Sequence, residues 1–161
     1  MKQKLMLLLT ISGLFIALDQ ATKLYIHTHF QLGETLTVIP NYFNITFVKN
    51  PGAAFWFLAN TNPFFRDAFF LIIPPVALVI IIMILRTVDV RDRIQISALS
   101  CVFGGAIGNY IDRLRLRYVI DFLDFHIQNI YSWPSFNVAD MSIVTGISLL
   151  FILSFRKQRS S

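Results

Sequence analysis

The sequence predicts a membrane protein: an all-α four-helix transmembrane bundle carrying a small extracytoplasmic β-sheet and an interfacial loop or half-helix. Three observations predict it. Of 161 residues, 55% are hydrophobic and 14% charged, where a soluble domain averages about 25% charged. The apolar residues lie in blocks: residues 68–85 and 94–111 each hold 18 consecutive uncharged positions, enough for a helix to cross the hydrocarbon layer. A third kind of segment, residues 34–48, is rich in β-branched and aromatic side chains instead, the composition of short strands. Mean hydropathy is +0.62.

Taken in order, the first span is residues 5–18, extending to Ile26 if Asp19 and Lys23 occupy its last turns. Lys2 and Lys4 before it look like the charged start of a signal peptide. No small-x-small cleavage site follows in 19–23, so a retained signal anchor is expected. Residues 34–39 and 44–48 form two or three strands around a Pro40-Asn41 turn, and Pro51-Gly52 ends the pattern. Residues 53–58 are apolar yet outside any span, which suits the membrane surface. Pro74-Pro75 removes two helical donors from the second span and should kink it. Gly104, Gly105 and Gly108 in the third span suit close helix contact. Residues 122–137 mix aromatics with His126, Gln128 and Asn129, as an interfacial loop or half-helix does. Residues 141–155 make the last span, lengthened by 138–140. One domain over 1–161 is expected, with spans at about 4–26, 66–86, 94–114 and 138–156 and a β region at about 30–60.

Four spans put both termini on the side of the loop at 86–93. That side carries eight basic residues in short segments and the other six, which assigns the termini to the cytoplasm. The net charge of +5 then reads as topology and lipid-headgroup contact. No nucleic-acid motif is present. Cys101, the single cysteine, has no partner for an intrachain disulfide and reads as a packed small hydrophobe.

The acids are the informative residues. Asp89 and Asp92 belong to the cytoplasmic loop, Asp67 sits beside Arg66 at a helix start, and Glu34 is in a loop. Asp19, Asp112, Asp121, Asp124 and Asp140 gather at the outer ends of spans one, three and four. Asp19 and Lys23 have the spacing of a helical ion pair, which either makes a polar helix end tolerable or orients a site. Asn109, Asp112 and Arg113 share a helical surface; Arg113 can hold a loop or a substrate carbonyl, and Arg115 and Arg117 can touch lipid phosphates. Asp121 and Asp140 are 19 positions apart in a hairpin that can bring them together. A charge near hydrocarbon costs about 2.5–3.5 kcal/mol at a helix centre, so such residues are retained where they do something. Apolar neighbours favour a protonated carboxyl, and a close second carboxylate leaves one acid and one base near neutral pH. That pair activates a water in aspartic proteolysis, with Asn50, Asn109 and Asn137 as uncharged donors to a peptide. Spacing leaves two readings open, this dyad and simple ion pairing with Arg113, Arg115 or Arg117.

Other chemistries fit worse. His27 and His29 in a loop and the distant His126 make no metal set, and there is no His-Glu-x-x-His, no Gly-x-Ser-x-Gly and no phosphate-binding glycine loop. No metal and no cofactor are expected. A small transporter would place its acids near the midplane, often within repeats, and no repeat is seen. A non-catalytic assembly factor would tolerate Asp121→Asn.

Five ordered motifs carry a family resemblance: Asp19-x-x-Thr22-Lys23; Val48-Lys49-Asn50-Pro51-Gly52-Ala53-Ala54-Phe55; Gly104-Gly105-Ala106-Ile107-Gly108-Asn109-x-Ile111-Asp112-Arg113; Val119-Ile120-Asp121-Phe122; and Phe136-Asn137-x-Ala139-Asp140. Over nearly its whole length the chain resembles the lipoprotein signal peptidases, or signal peptidase II. Trp56 stands where that family pattern suggests a small polar residue. The resemblance implies a bacterial plasma-membrane aspartyl endopeptidase that removes signal peptides from diacylglyceryl-modified prolipoproteins. It implies Asp121 and Asp140 as the catalytic pair, with Asp19, Lys23, Asn50, Gly52, Gly108, Asn109, Asp112, Arg113, Asn137 and Ala139 supporting the site or binding substrate. It also implies inhibition by cyclic peptides such as globomycin. The expected state is a monomer, with its site at the outer membrane face. Residues 53–57 and 122–133 are expected to close over substrate.

Overall fold

A computed structural model describes residues 1–52, 61–128 and 130–159. Four helices are long and apolar enough to cross a membrane: α1 (Lys2–His29), α2 (Pro63–Thr87), α3 (Arg93–Leu116) and α4 (Val138–Arg159). Strands β1 (Thr35–Ile39), β2 (Phe43–Asn50), β3 (Val119–Ile127) and β4 (Tyr131–Ser132) form an antiparallel sheet in that order.

The helices are bounded as their sequences dictate. Asn62 caps α2 by accepting the Phe64 N–H, with proline at the first turn, and Asp92 caps α3 by accepting the Gln95 N–H at 3.1 Å. Arg117 ends α3 in the left-handed conformation, φ 66°. α2 continues through Pro74 and Pro75. Large apolar side chains point outward along the spans, among them Leu14 at 68% and Phe151 at 63% exposed, the surface a lipid-facing helix presents.

α3 is central and touches the other three helices. Its approach to α4 and α1 depends on two glycines. A Cβ on Gly105 would strike the Ala139 carbonyl oxygen, and one on Gly108 would come 2.6 Å from the Asp19 carboxylate. One end of the bundle is apolar, with Leu8, Ile81, Leu85, Ile96 and Leu99 buried together. Lys4 is there too, inside α1. It is 7% exposed and donates to the carbonyls of Leu85, Arg86 and Val88 at 2.9, 2.9 and 2.7 Å, satisfying the C-terminal end of α2.

The sheet docks on the opposite end through Ile26, Phe47, Ile120 and Phe122. Residues expected as an interfacial loop or half-helix after Asp121 are instead strands β3 and β4. The reason is pairing: β3 lies against β2 from Phe43↔Phe125 to Asn50↔Val119, and a partner strand outweighs a mixed local pattern. The first two strands flank Asn41 at φ 70°, as the Pro40-Asn41 turn required. His27 and His29 belong to the last turn of α1 rather than to a loop. The surface placement of 53–58, Trp56, Ala54 and Phe55 of the second motif, and Asn129 lie outside the described residues.

Candidate functional site

The polar centre is at the sheet end of the bundle. Period-two alternation along β3 buries Ile120 and Phe122 in the apolar cluster and turns Asp121 the other way. Asp121 nevertheless stays 2% exposed. Its Oδ2 accepts the Asn50 amide at 2.9 Å and its Oδ1 accepts the Asn137 amide at 2.7 Å. Burial first, and then the neighbouring Asp140 carboxylate, push the Asp121 carboxyl up to about 7 against the pull of those two amides.

Asp140 is fixed by the start of α4. Asn137 accepts the Asp140 N–H at 2.9 Å and Asp140 Oδ2 accepts the Asn137 N–H at 3.2 Å, a reciprocal cap that also puts an acid at the positive end of a helix dipole. Asp140 Oδ1 accepts the Asn109 amide at 2.7 Å. Asn137 therefore bonds to both carboxylates, its side chain to Asp121 and its backbone to Asp140. Each of the four carboxylate oxygens accepts one N–H from a neutral amide or backbone group. Among the described residues, neither acid has a lysine or arginine nitrogen within 4.0 Å. The ion pairing with Arg113, Arg115 or Arg117 that spacing left open is not the arrangement found.

The cation that matters most sits one layer back. Lys23, 2% exposed, directs its three donors to Asp19 Oδ2 at 2.8 Å, Asp112 Oδ2 at 3.1 Å and Asn109 Oδ1 at 2.9 Å. A buried ammonium with every donor used is the condition under which such a charge is tolerated. Asp112 pairs here with Lys23 on α1, not with its neighbour Arg113, and its Oδ2 also accepts the Ile120 N–H at 3.1 Å. Asp19 Oδ1 accepts the Ala139 N–H at 2.9 Å. One network thus joins α1, α3, the start of β3 and the start of α4. Asn109 links Lys23 to Asp140, since its oxygen accepts from the ammonium while its nitrogen donates to the carboxylate.

A second chain of contacts forms the rim. Arg113 donates to the Gly52 carbonyl at 3.0 Å, the Gly52 N–H donates to Asn50 Oδ1 at 3.0 Å, and Asn50 donates to Asp121. The Arg113 guanidinium also lies 4.6 Å from the centre of the Phe70 ring, tying α2 to the site. Asp19, Lys23, Gly108, Asn109, Asp112, Asn137 and Ala139 all fall in the inner network, and Asn50, Gly52 and Arg113 in the rim. Thr22 does not join either; its hydroxyl donates to the Leu18 and Asp19 carbonyls. Asp124 stands apart in the sheet, accepting the Asn44 amide at 2.9 Å.

Gln20 is the residue that sequence reasoning missed. Its amide lies 3.0 Å from Asp112 Oδ1, 3.1 Å from the Gly108 carbonyl and 3.2 Å from Asp19 Oδ2. Only its position one residue beyond Asp19 hinted at this, because the bond depends on the packing of α1 on α3. No group of three or more His, Cys, Asp or Glu side chains among the described residues is arranged to hold a metal ion.

The fold and this site define a multi-pass membrane protein with two amide-held acids buried at one end of a helix bundle. The sequence model of signal peptidase (SPase) II matches residues 11–156, and the chain belongs to that family: it is a peptidase of the bacterial inner membrane. It is 44% identical over 159 residues to the lipoprotein signal peptidase of Syntrophus aciditrophicus (strain SB), covering 99% of this chain and 98% of that one. To the lipoprotein signal peptidase of Geobacter sulfurreducens it is 42% identical, covering 89% and 88%. A solved structure described as a bacterial membrane enzyme, obtained by the in meso method at 2.3 Å resolution, superposes with a TM-score of 0.87 at 32% identity, covering 96% of this chain and 90% of that one.

Proposed function

We propose that this peptidase removes signal peptides from diacylglyceryl-modified prolipoproteins, hydrolysing the bond before the lipidated cysteine with a water activated between Asp121 and Asp140. The observation that carries the reading is that Asn137 donates one hydrogen bond to each carboxylate, its side chain to Asp121 and its backbone to Asp140, with no lysine or arginine nitrogen within 4.0 Å of either among the described residues. An acid raised to about 7 beside a second acid holds one proton between the two near neutral pH, and the pair titrates as a unit. The ionised member takes a proton from water as its oxygen attacks the scissile carbonyl carbon. The protonated member gives its proton to the carbonyl oxygen. The resulting gem-diol then collapses: the C–N bond breaks, the amine leaves with the proton the base had taken, and a gem-diol hydroxyl gives its proton back to the other carboxylate as the product carbonyl forms, which returns the pair to its one-proton starting state.

The remaining residues position this pair. Lys23 fixes Asn109, and Asn109 fixes Asp140. Asn50 and Asn137 fix Asp121, and Arg113 holds the Gly52 turn at the rim. Residues 1–161 act as one integral peptidase domain and work as a monomer. The termini are in the cytoplasm and the site is at the outer face, so a lipidated substrate reaches it laterally from the bilayer while water arrives from outside. Membrane lipids surround the spans, and a cyclic peptide such as globomycin occupies the same site.

The test is cleavage of a diacylglyceryl-modified prolipoprotein peptide by detergent-purified wild type, Asp121→Asn and Asp140→Asn. Wild-type cleavage before the lipidated cysteine, falling by about a thousandfold or more in each variant, is expected. Equal cleavage by all three would sink the dyad.

A further inference from the structure

The sheet carries an apolar groove that the chemistry above does not use. It has a volume of about 470 Å³ and is lined by Tyr42, Phe125, His126, Ile127, Tyr131, Trp133 and Phe136, all but His126 apolar or aromatic. Two routes connect it to the carboxylates. Phe125 follows Asp121 by four positions on β3 and so shares its face of the strand; at roughly 3.3 Å per residue the separation is about 13 Å. Phe136 immediately precedes Asn137, the residue bonded to both acids. The Phe125 ring stacks between Phe43 at 4.6 Å and Phe136 at 5.7 Å, so the wall nearest the site is a rigid aromatic stack. Tyr131 and Trp133 form the outer rim, edge to face at 6.4 Å, and are 52% and 47% exposed.

From these two connections we infer that the groove binds an apolar or aromatic side chain of the substrate, three to five residues beyond the scissile bond on the mature side. This inference rests on the peptidase reading. A signal helix fills the membrane side of the site, so the chain that runs along β3 away from α3 is the part that leaves the bilayer. An extended peptide advancing about 3.3 Å per residue reaches the groove in about four residues. The 131–136 segment offers support for it. This segment bonds to β3 through the Trp133 N–H on the Phe125 carbonyl and the Phe136 N–H on the Leu123 carbonyl, and its first two residues are β4, the last strand in the sheet order. An edge of that kind can receive an extended peptide. The groove therefore sets a preference downstream of the lipidated cysteine, separate from recognition of the lipid.

The experiment uses the full-length enzyme in detergent and two diacylglyceryl-modified prolipoprotein peptides. They are identical except that one carries Ser at the third to fifth positions after the cleaved bond and the other has Phe at the fourth. Wild type is expected to prefer the Phe peptide by roughly tenfold in kcat/KM, and the ratio is expected to fall to within about twofold of unity in Tyr131→Ala with Trp133→Ala. Because the readout is a ratio of two substrates on one preparation, a partly unfolded variant does not mimic the result. No preference in wild type, or a preference that survives in the variant, overturns the inference. A variant that loses rate on both peptides alike, with the ratio kept, would make the groove a contact for the lipid surface instead. Failure of wild type to cleave either peptide removes the proposed prolipoprotein cleavage, and this inference with it.

Discussion

Asp121 is a buried acid whose neighbours are chosen for hydrogen bonding rather than for neutralising charge, and that choice has a cost in stability. Its carboxyl moves from 3.8 to about 7 on folding because burial and then Asp140 disfavour the charge. The folded state thus holds the proton more tightly than the unfolded chain. The contribution to stability is fully present below about pH 4 and is lost as pH rises through 7, a difference of roughly 4 kcal/mol. Asp121→Asn keeps the shape and removes the charge. It should melt several degrees above wild type at pH 8 and show no such advantage at pH 4, measured by thermal unfolding in detergent; a lower melting temperature at pH 8 would contradict this account. Lys23 is the opposite case. Asp19 and Asp112 are both buried against it, so Lys23→Met leaves two uncompensated carboxylates and should cost about 3–5 kcal/mol. Adding Asp19→Asn and Asp112→Asn should recover part of that loss. If the triple variant is no more stable than Lys23→Met alone, the network is not held by charge balance.

At the scale of the elements, helix contact sets the geometry of the carboxylates. Asp140 is positioned by the first turn of α4, and that turn lies on Gly105 and Gly108 of α3. A methyl group at Gly105 meets a backbone carbonyl, which cannot rotate away, so α4 must shift. Gly105→Ala should lower cleavage at least tenfold, more than its loss of thermal stability would explain, because a shift of about 1 Å at a catalytic group costs on the order of a hundredfold. Wild-type kcat/KM in this variant would show that the α3–α4 approach does not set the Asp140 position. The opposite end of the bundle shows the same economy of polar groups. Lys4 satisfies the carbonyls at the end of α2, where lipid offers no partner.

At the scale of the whole molecule, the polar network and the sheet lie at one end of the spans and the Lys4 cap at the other. The basic residues lead us to propose cytoplasmic termini, which would put the network at the outer face. A fluorescent protein fused after residue 159 should be fluorescent, and a reporter that is active only outside the cytoplasm should be active when inserted at Gly33, a left-handed turn position at φ 82°. The reverse pattern would invert the topology and place the site at the cytoplasmic face.

The four helices able to span a membrane were legible in the sequence, because hydrocarbon imposes length on every crossing, and acids at span ends stood out as candidates because a charge there is costly. The five motifs also contain the residues of the network other than Gln20, Asn109 and Asn137 among them. Pairing was not legible. That Lys23 reaches Asp112 rather than leaving it to Arg113, that Gln20 bridges two helices, and that Lys4 is buried all depend on which helices touch. The same holds for residues 122–137, whose mixed pattern suggested an interfacial loop until β2 supplied a partner strand. Local composition decided what this chain could cross. Tertiary packing alone decided which polar atoms meet, because a hydrogen bond forms over about 3 Å and nothing in sequence spacing fixes that distance between separate spans.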